Sequence, residues 1–157
     1  MNFLAKPTKT PPPEIIIDTS TLFSALYNPK GNEASLLTLA HQGTCSIHLY
    51  QYVLDELQHV FKRKQIAFNM VIKLLETYDN IILSELLHPT KEELHLAKSV
   101  ISDPKDRPIF VFALRKIREN TNAYFVTGDK LFFKKQVQTP LQGKVKKTKD
   151  IIRILCS

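Results

Sequence analysis

Short β-branched runs alternate along this chain with segments of helical apolar spacing, a pattern that predicts an α/β fold. The predicted architecture is a three-layer α/β/α sandwich around a mostly parallel central sheet. Two further observations support it. Ile15-Ile16-Ile17 is a continuous apolar run, as suits a strand buried on both faces, and an aspartate closes or follows both the first and the fourth such run.

Taken in order, residues 1–13 carry lysines and the Pro11-Pro12-Pro13 run, which holds the backbone extended. They are read as a tail outside the domain, and residues 14–157 as a single domain. Ile15 to Ile17 is the first strand, ended by Asp18. Beyond a short helix and the Asn28-Pro29-Lys30-Gly31 turn, Leu36, Leu37 and Ala40 mark a helix that stops near Gly43. Residues 44–49 read as the second strand. Val53, Leu57, Val60 and Phe61 have helical spacing, as do Phe68, Val71, Ile72, Leu75 and Tyr78, which predicts a helical pair. A third strand is expected at Ile81 to Leu83. Thr90 and Glu93 have the spacing of a capping box for a helix bearing Leu94, Ala97 and Ile101. Pro104 suits the first turn of another helix, with Ile109, Phe110, Ala113, Leu114 and Ile117 as its buried face. Tyr124-Phe125-Val126 is the fourth strand. An edge strand is expected around Val145, and a last helix carries Ile151, Ile152, Ile154 and Leu155 after a Thr148 cap.

The hydrophobic fraction of 43% and charged fraction of 24% are those of an ordinary globular domain, while a net charge of +7 favours a polyanionic partner, nucleic acid first. Cys45 and Cys156 lack short metal-type spacing and read as free thiols in a reducing compartment. The first residues lack the apolar core of a secretory signal, and the longest apolar run, Ile109 to Leu114, is too short to span a bilayer. No membrane partner is expected, and the expected location is cytoplasmic.

Parallel sheets bind ligands at the carboxyl ends of their strands, which gives weight to Asp18 in IIIDTS and Asp129 in YFVTGD. Each has an ordinary explanation as well: Asp18 as a helix cap, Asp129 as a turn residue after Gly128. Asp103 and Asp106 in SDPKDRPIF share one helix start. Capping by Asp103 explains one carboxylate there, but not two unless that end also faces a cation. Glu56 lies off the apolar stripe of its helix, beside Tyr52, His59 and Arg63. Hard divalent cations such as Mg2+ take oxygen ligands from a few carboxylates together with water and substrate phosphate, so such a site needs no Cys or His.

IIIDTSTLFSAL, LYQYVLDELQHVFKR, SDPKDRPIFVFALRK and YFVTGDKLF resemble, in order and spacing, the acidic motifs of PIN domains. The likeness covers roughly residues 14 to 155 and is nearest to stand-alone prokaryotic PIN proteins, including VapC-type toxins. The resemblance implies a ribonuclease that hydrolyses RNA phosphodiester bonds with Mg2+ or Mn2+. It implies that Asp18, Glu56, Asp106 and Asp129 are the catalytic, metal-binding acids, with Asp103 as an additional acid. Thr127 matches the hydroxyl residue that supports the last acid, while Ser20 departs from the family pattern, many members having Asn at this position, and the substitution alters the expected support for Asp18. For the toxin branch it implies a small antitoxin protein as partner, and the family often forms homodimers. The alternatives are an RNA-processing PIN nuclease that is not a toxin, and a non-catalytic module that binds RNA or a partner.

Lys130, Lys134 and Lys135 follow the last acid. They read either as a solvated face or as a phosphate-tracking rim. Arg63 and Arg107, next to motif acids, are expected to contact substrate. Phe132 and Phe133 read as core or partner-facing aromatics, with base stacking as the alternative. Thr127-Gly128-Asp129-Lys130 lacks the longer glycine loop of a phosphate-binding P-loop. A phosphotransferase with Asp18 as nucleophile is the rival enzyme class. A haloacid-dehalogenase-like enzyme would carry a second aspartate where this chain has Ser20.

Overall fold

Five strands, each containing β-branched or aromatic residues, lie side by side in the computed structural model, which describes residues 10–85 and 88–157. Most of the predicted tail, residues 1–9, lies outside the described residues. The strands are β1 (Glu14–Ile17), β2 (Ser46–Tyr50), β3 (Ile81–Ser84), β4 (Ala123–Val126) and β5 (Val145–Lys146). Their order across the sheet is β3-β2-β1-β4-β5, and every neighbouring pair is parallel. β1 is central because its isoleucines tolerate burial on both faces, none of the three being more than 1% exposed. Its register sets Ile15 beside both Ile47 and Tyr124, and Ile17 beside Val126. The edge strand expected around Val145 is β5.

Among the described residues, eight helices flank the sheet in a three-layer α/β/α arrangement. They are α1 (Thr19–Tyr27), α2 (Asn32–His41), α3 (Gln51–Arg63), α4 (Asn69–Thr77), α5 (Lys91–Val100), α6 (Arg107–Glu119), α7 (Lys135–Gln138) and α8 (Thr148–Leu155). α2 packs on α1 and α8, α5 packs on α6, and α3 touches both α1 and α6. The predicted buried face of α6 is buried in full, as are Val53, Leu57 and Phe61 on α3.

Three helix details differ from expectation. Leu94 is 41% exposed although it shares a stripe with Ala97 and Ile101; α5 instead buries Glu93, which pairs with Arg115 of α6. Ile72 lies on the outer side of α4, while Val71 and Leu75 are buried. Thr148 is not a cap but the buried first residue of α8, whose cap position is Lys147 without a side-chain bond. By contrast the capping box is complete: Thr90 Oγ1 accepts the Glu93 N–H at 3.1 Å, and Glu93 Oε1 accepts the Thr90 N–H at 2.8 Å.

The chain leaves β1 to build β2 and β3 on one side and returns to build β4 and β5 on the other. In a parallel sheet, that reversal opens a crevice above the carboxyl ends of the two strands that diverge. Here these are β1 and β4, followed by Asp18 and by Thr127-Gly128-Asp129.

Candidate active site

Asp18 follows β1 in extended conformation and caps α1, its Oδ1 accepting the Thr21 N–H at 2.9 Å. The same oxygen accepts the Ser20 hydroxyl at 3.2 Å, and Oδ2 accepts the Thr127 hydroxyl at 2.5 Å. The expected cap is therefore real, and it does not use up the carboxylate: each oxygen also meets a hydroxyl. Thr127, fully buried at the end of β4, does more than expected, because its oxygen also accepts the Asp129 N–H at 3.0 Å. One hydroxyl thus fixes both acids.

Glu56, in the second turn of α3, is half-buried and accepts the Thr19 hydroxyl at 2.9 Å. Asp103 caps a single 3-10 turn, Pro104–Asp106, by accepting the Lys105 N–H at 3.0 Å. Asp106 occupies the cap position of α6 without a side-chain capping bond, which leaves its carboxylate free to face the crevice. Asp129 starts a second 3-10 turn, Lys130–Phe133, through the Leu131 N–H at 3.0 Å. Asp18, Glu56, Asp106 and Asp129 line one pocket of about 200 Å³ together with Thr19, Ser20 and Lys105 over a floor of Val53, Ile109 and Phe132.

Their mutual charge is visible in the titration of two members. Burial holds the Glu56 carboxyl above its ordinary value, opposed by the Thr19 hydrogen bond and reinforced by Asp106 and Asp18. Burial likewise raises Asp106, with the negative charges of Asp103, Asp129 and Asp18 adding to it. The Tyr52 phenol is pushed up by burial and then by Glu56, Asp106 and Asp103. A cation in the pocket would relieve all three.

The pocket brings together the four principal acids of the sequence reading, with Ser20 at its wall and Thr127 beneath it. Asp103 is not among its lining residues; it acts on Asp106 from the neighbouring turn. Arg107 is turned away, its Nε donating to the Ile101 carbonyl at 2.9 Å and its Nη2 to that of Ser102 at 3.1 Å. It clasps the backbone before the 3-10 turn. Arg63 is exposed at the far end of α3, two helical turns from Glu56, about 10 Å along the axis. Lys130, Lys134 and Lys135 are exposed beside the β4 end of the crevice. Phe132 is core, in edge contact with Phe125 at 5.0 Å between ring centroids. Thr19, Lys105 and Tyr52 were not singled out by the sequence. Thr19 meets Glu56 across 37 residues, a separation with no local signal.

The PIN domain family model matches residues 14–131. The chain therefore belongs to the PIN-domain family, whose members are generally nucleases that use divalent metal ions. Among solved structures it is similar to a chain of the VapBC2 complex of Rickettsia felis bound to a DNA fragment from its promoter. That likeness has 14% identity and a TM-score of 0.54, covering 76% of this chain and 91% of the other, and is one of fold. No curated protein matches.

The donor chemistry suits a hard cation, being all oxygen with repulsion in excess of the one lysine present. Among the described residues no group of three or more His, Cys, Asp or Glu side chains is arranged to hold one ion. The four acids line one pocket, and a hard cation there would complete its shell with water and substrate phosphate.

Proposed function

We propose that this chain is a divalent-metal-dependent ribonuclease acting on RNA in the cytoplasm, and the toxin of a toxin–antitoxin pair. The observation that carries the nuclease reading is the convergence of Asp18, Glu56, Asp106 and Asp129, from four separate segments, on the pocket above β1 and β4. When bound, Mg2+ or Mn2+ supplies Lewis-acid polarisation of the scissile phosphate and lowers the pKa of an attacking water. Its protein ligands are drawn from these four acids. Asp18 and Asp129 are held in fixed orientation by Thr127, so their charge is preorganised rather than recruited during the reaction. Glu56, above its ordinary pKa and held by Thr19, is suited to orient the water and take its proton. Lys130, Lys134 and Lys135 line the route by which a polyanion approaches.

The net charge of +7 beside an acidic centre suits a nucleic-acid polyanion, and the resemblance of the acidic motifs to PIN ribonucleases favours RNA as that polyanion. The toxin reading, with its small antitoxin partner, is supported by the fold likeness to a VapBC complex. A homodimer belongs to the same reading.

Labelled single-stranded RNA and single-stranded DNA, incubated with pure protein and Mg2+, Mn2+ or EDTA, provide the test. RNA cleavage that requires metal and disappears in Asp129→Asn is expected. Cleavage that persists in EDTA or in that variant would refute the assignment. For the toxin reading, induction of the wild-type chain should arrest growth of the host cell and induction of Asp129→Asn should not; equal growth would leave a nuclease that is not a toxin.

A further inference from the structure

Among the side chains lining the acidic pocket, Lys105 is the only cation. Its backbone is held on both sides. The N–H donates to Asp103 at 3.0 Å, the carbonyl accepts the Tyr52 hydroxyl at 3.2 Å, and Pro104 fixes the preceding φ. Tyr52 and Glu56 lie one turn apart on α3, so this clamp ties the Lys105 turn to the same helix that carries an acid of the pocket.

A lysine among carboxylates would ordinarily be expected to close a salt bridge. Among the described residues, Lys105 forms none. A backbone fixed at two points, an exposed side chain and no ion-pair partner among the described residues leave a point charge available to an incoming anion.

We propose that Lys105 forms a phosphate subsite at the mouth of the pocket, binding a backbone phosphate of single-stranded RNA next to the bond that is cut. This rests on the ribonuclease reading. Within a pocket dominated by negative charge, an RNA phosphate is repelled unless a cation receives it, and Lys105 supplies that cation where the bound metal is otherwise the only one. Ammonium is a compact charge without bidentate geometry, so the subsite reads phosphate and not base. It adds affinity without sequence preference.

The test compares wild type, Lys105→Ala, Lys105→Arg and Lys30→Ala, the last removing equal charge from the exposed turn between α1 and α2, outside the pocket lining. Binding of a fluorescent single-stranded RNA is followed by anisotropy in EDTA over a salt series, and cleavage kinetics are measured in Mn2+. Lys105→Ala should lower the slope of log affinity against log salt by about 0.7, the value for one single-strand phosphate contact. It should raise KM about tenfold, the scale of one charge-assisted hydrogen bond, with kcat within about twofold. Lys105→Arg should restore most of the affinity, and Lys30→Ala should behave as wild type. Mn2+ should bind Lys105→Ala at least as tightly as wild type, since a competing cation has gone.

If Lys105 only neutralises neighbouring acids, its alanine variant will have the slope and KM of Lys30→Ala while melting lower, and the subsite is overturned. If the wild type neither binds nor cleaves RNA, the ribonuclease reading falls and the subsite with it. A wild type that cleaves, beside an unaltered Lys105→Ala, overturns the subsite alone.

Discussion

The Thr127 hydroxyl donates to Asp18 Oδ2 at 2.5 Å across 109 residues of sequence, while its oxygen accepts the Asp129 N–H at 3.0 Å. A single buried hydroxyl therefore sets the spacing between the acid that follows β1 and the acid that follows β4. The two strands are neighbours in register, Ile17 beside Val126, so the sheet itself delivers Thr127 to Asp18.

Thr127→Ala should consequently damage both acids at once. It leaves Asp18 without its Oδ2 donor and Asp129 with an unpaired N–H, at a cost of about 1–3 kcal/mol for a buried group left unsatisfied. Activity should fall at least about tenfold, as 1.4 kcal/mol of lost preorganisation implies. Thr127→Ser keeps the hydroxyl and should retain most of both properties. Thermal melts and cleavage rates on the two variants check this; if serine is as damaging as alanine, the methyl group and not the bridge matters.

Asp106 and Glu56 give a prediction of opposite sign. Their carboxyls sit above their ordinary values in the folded protein, so the stability they contribute belongs to their protonated forms. It is present at acid pH and lost as pH rises through the carboxylate range, leaving strained anions at neutral pH. Asp106→Asn should raise the metal-free Tm by about 1–2 °C, the effect of roughly 0.5 kcal/mol at this size. Mg2+ at about ten times its Kd should raise the wild-type Tm by about 3–6 °C and raise that of Asp106→Asn less. Calorimetry at matched ionic strength with NaCl separates binding from screening. A lower metal-free Tm in Asp106→Asn, with an undiminished Mg2+ increment, would remove Asp106 from the ion's surroundings.

Glu93 should govern acid stability away from the site. Arg115 grips it with two nitrogens, Nε at 3.1 Å and Nη2 at 2.5 Å, and this hydrogen-bonded pairing brings its pKa down to about 2. A depressed carboxyl stabilises the fold above its unfolded value and loses that contribution as protons are added. The loss should run from about pH 4.5 down to about pH 2. Both side chains are mostly buried, at 8% and 21% exposure, so screening removes little of the effect. Glu93→Gln should lower Tm at pH 7 by about 4–8 °C, the equivalent of roughly 2 kcal/mol. Its stability should also change less than wild type's between those pH values. Denaturant titrations across that range measure the difference, and parallel curves would show that the pair adds nothing.

Much of the fold is legible in the residues because its signals are local. Three consecutive isoleucines can satisfy only a strand covered on both faces, and the stripe from Ile109 to Ile117 has one helical side to bury. The Thr90–Glu93 box spans a single turn. Leu94 misleads for the complementary reason: spacing marks a stripe, but which stripe is covered depends on the helix that packs against it, and α6 offers Arg115 to Glu93.

The order and spacing of the acids likewise single out Asp18, Glu56, Asp106 and Asp129, because metal-assisted chemistry demands carboxylates and a parallel sheet sends its loops to one end. Their arrangement was decided elsewhere. Whether Arg107 reached outward or clasped the Ile101 and Ser102 carbonyls depended on where the preceding turn left unpaired oxygens. That Thr19 holds Glu56, Thr127 holds Asp18 and Tyr52 holds the Lys105 turn depends on contacts 37, 109 and 53 residues apart. Propensity and periodicity act over a few residues along the chain. A hydrogen bond has a reach of about 3 Å and an angular preference, so its partners are chosen only once the sheet register and helix packing have brought distant segments together.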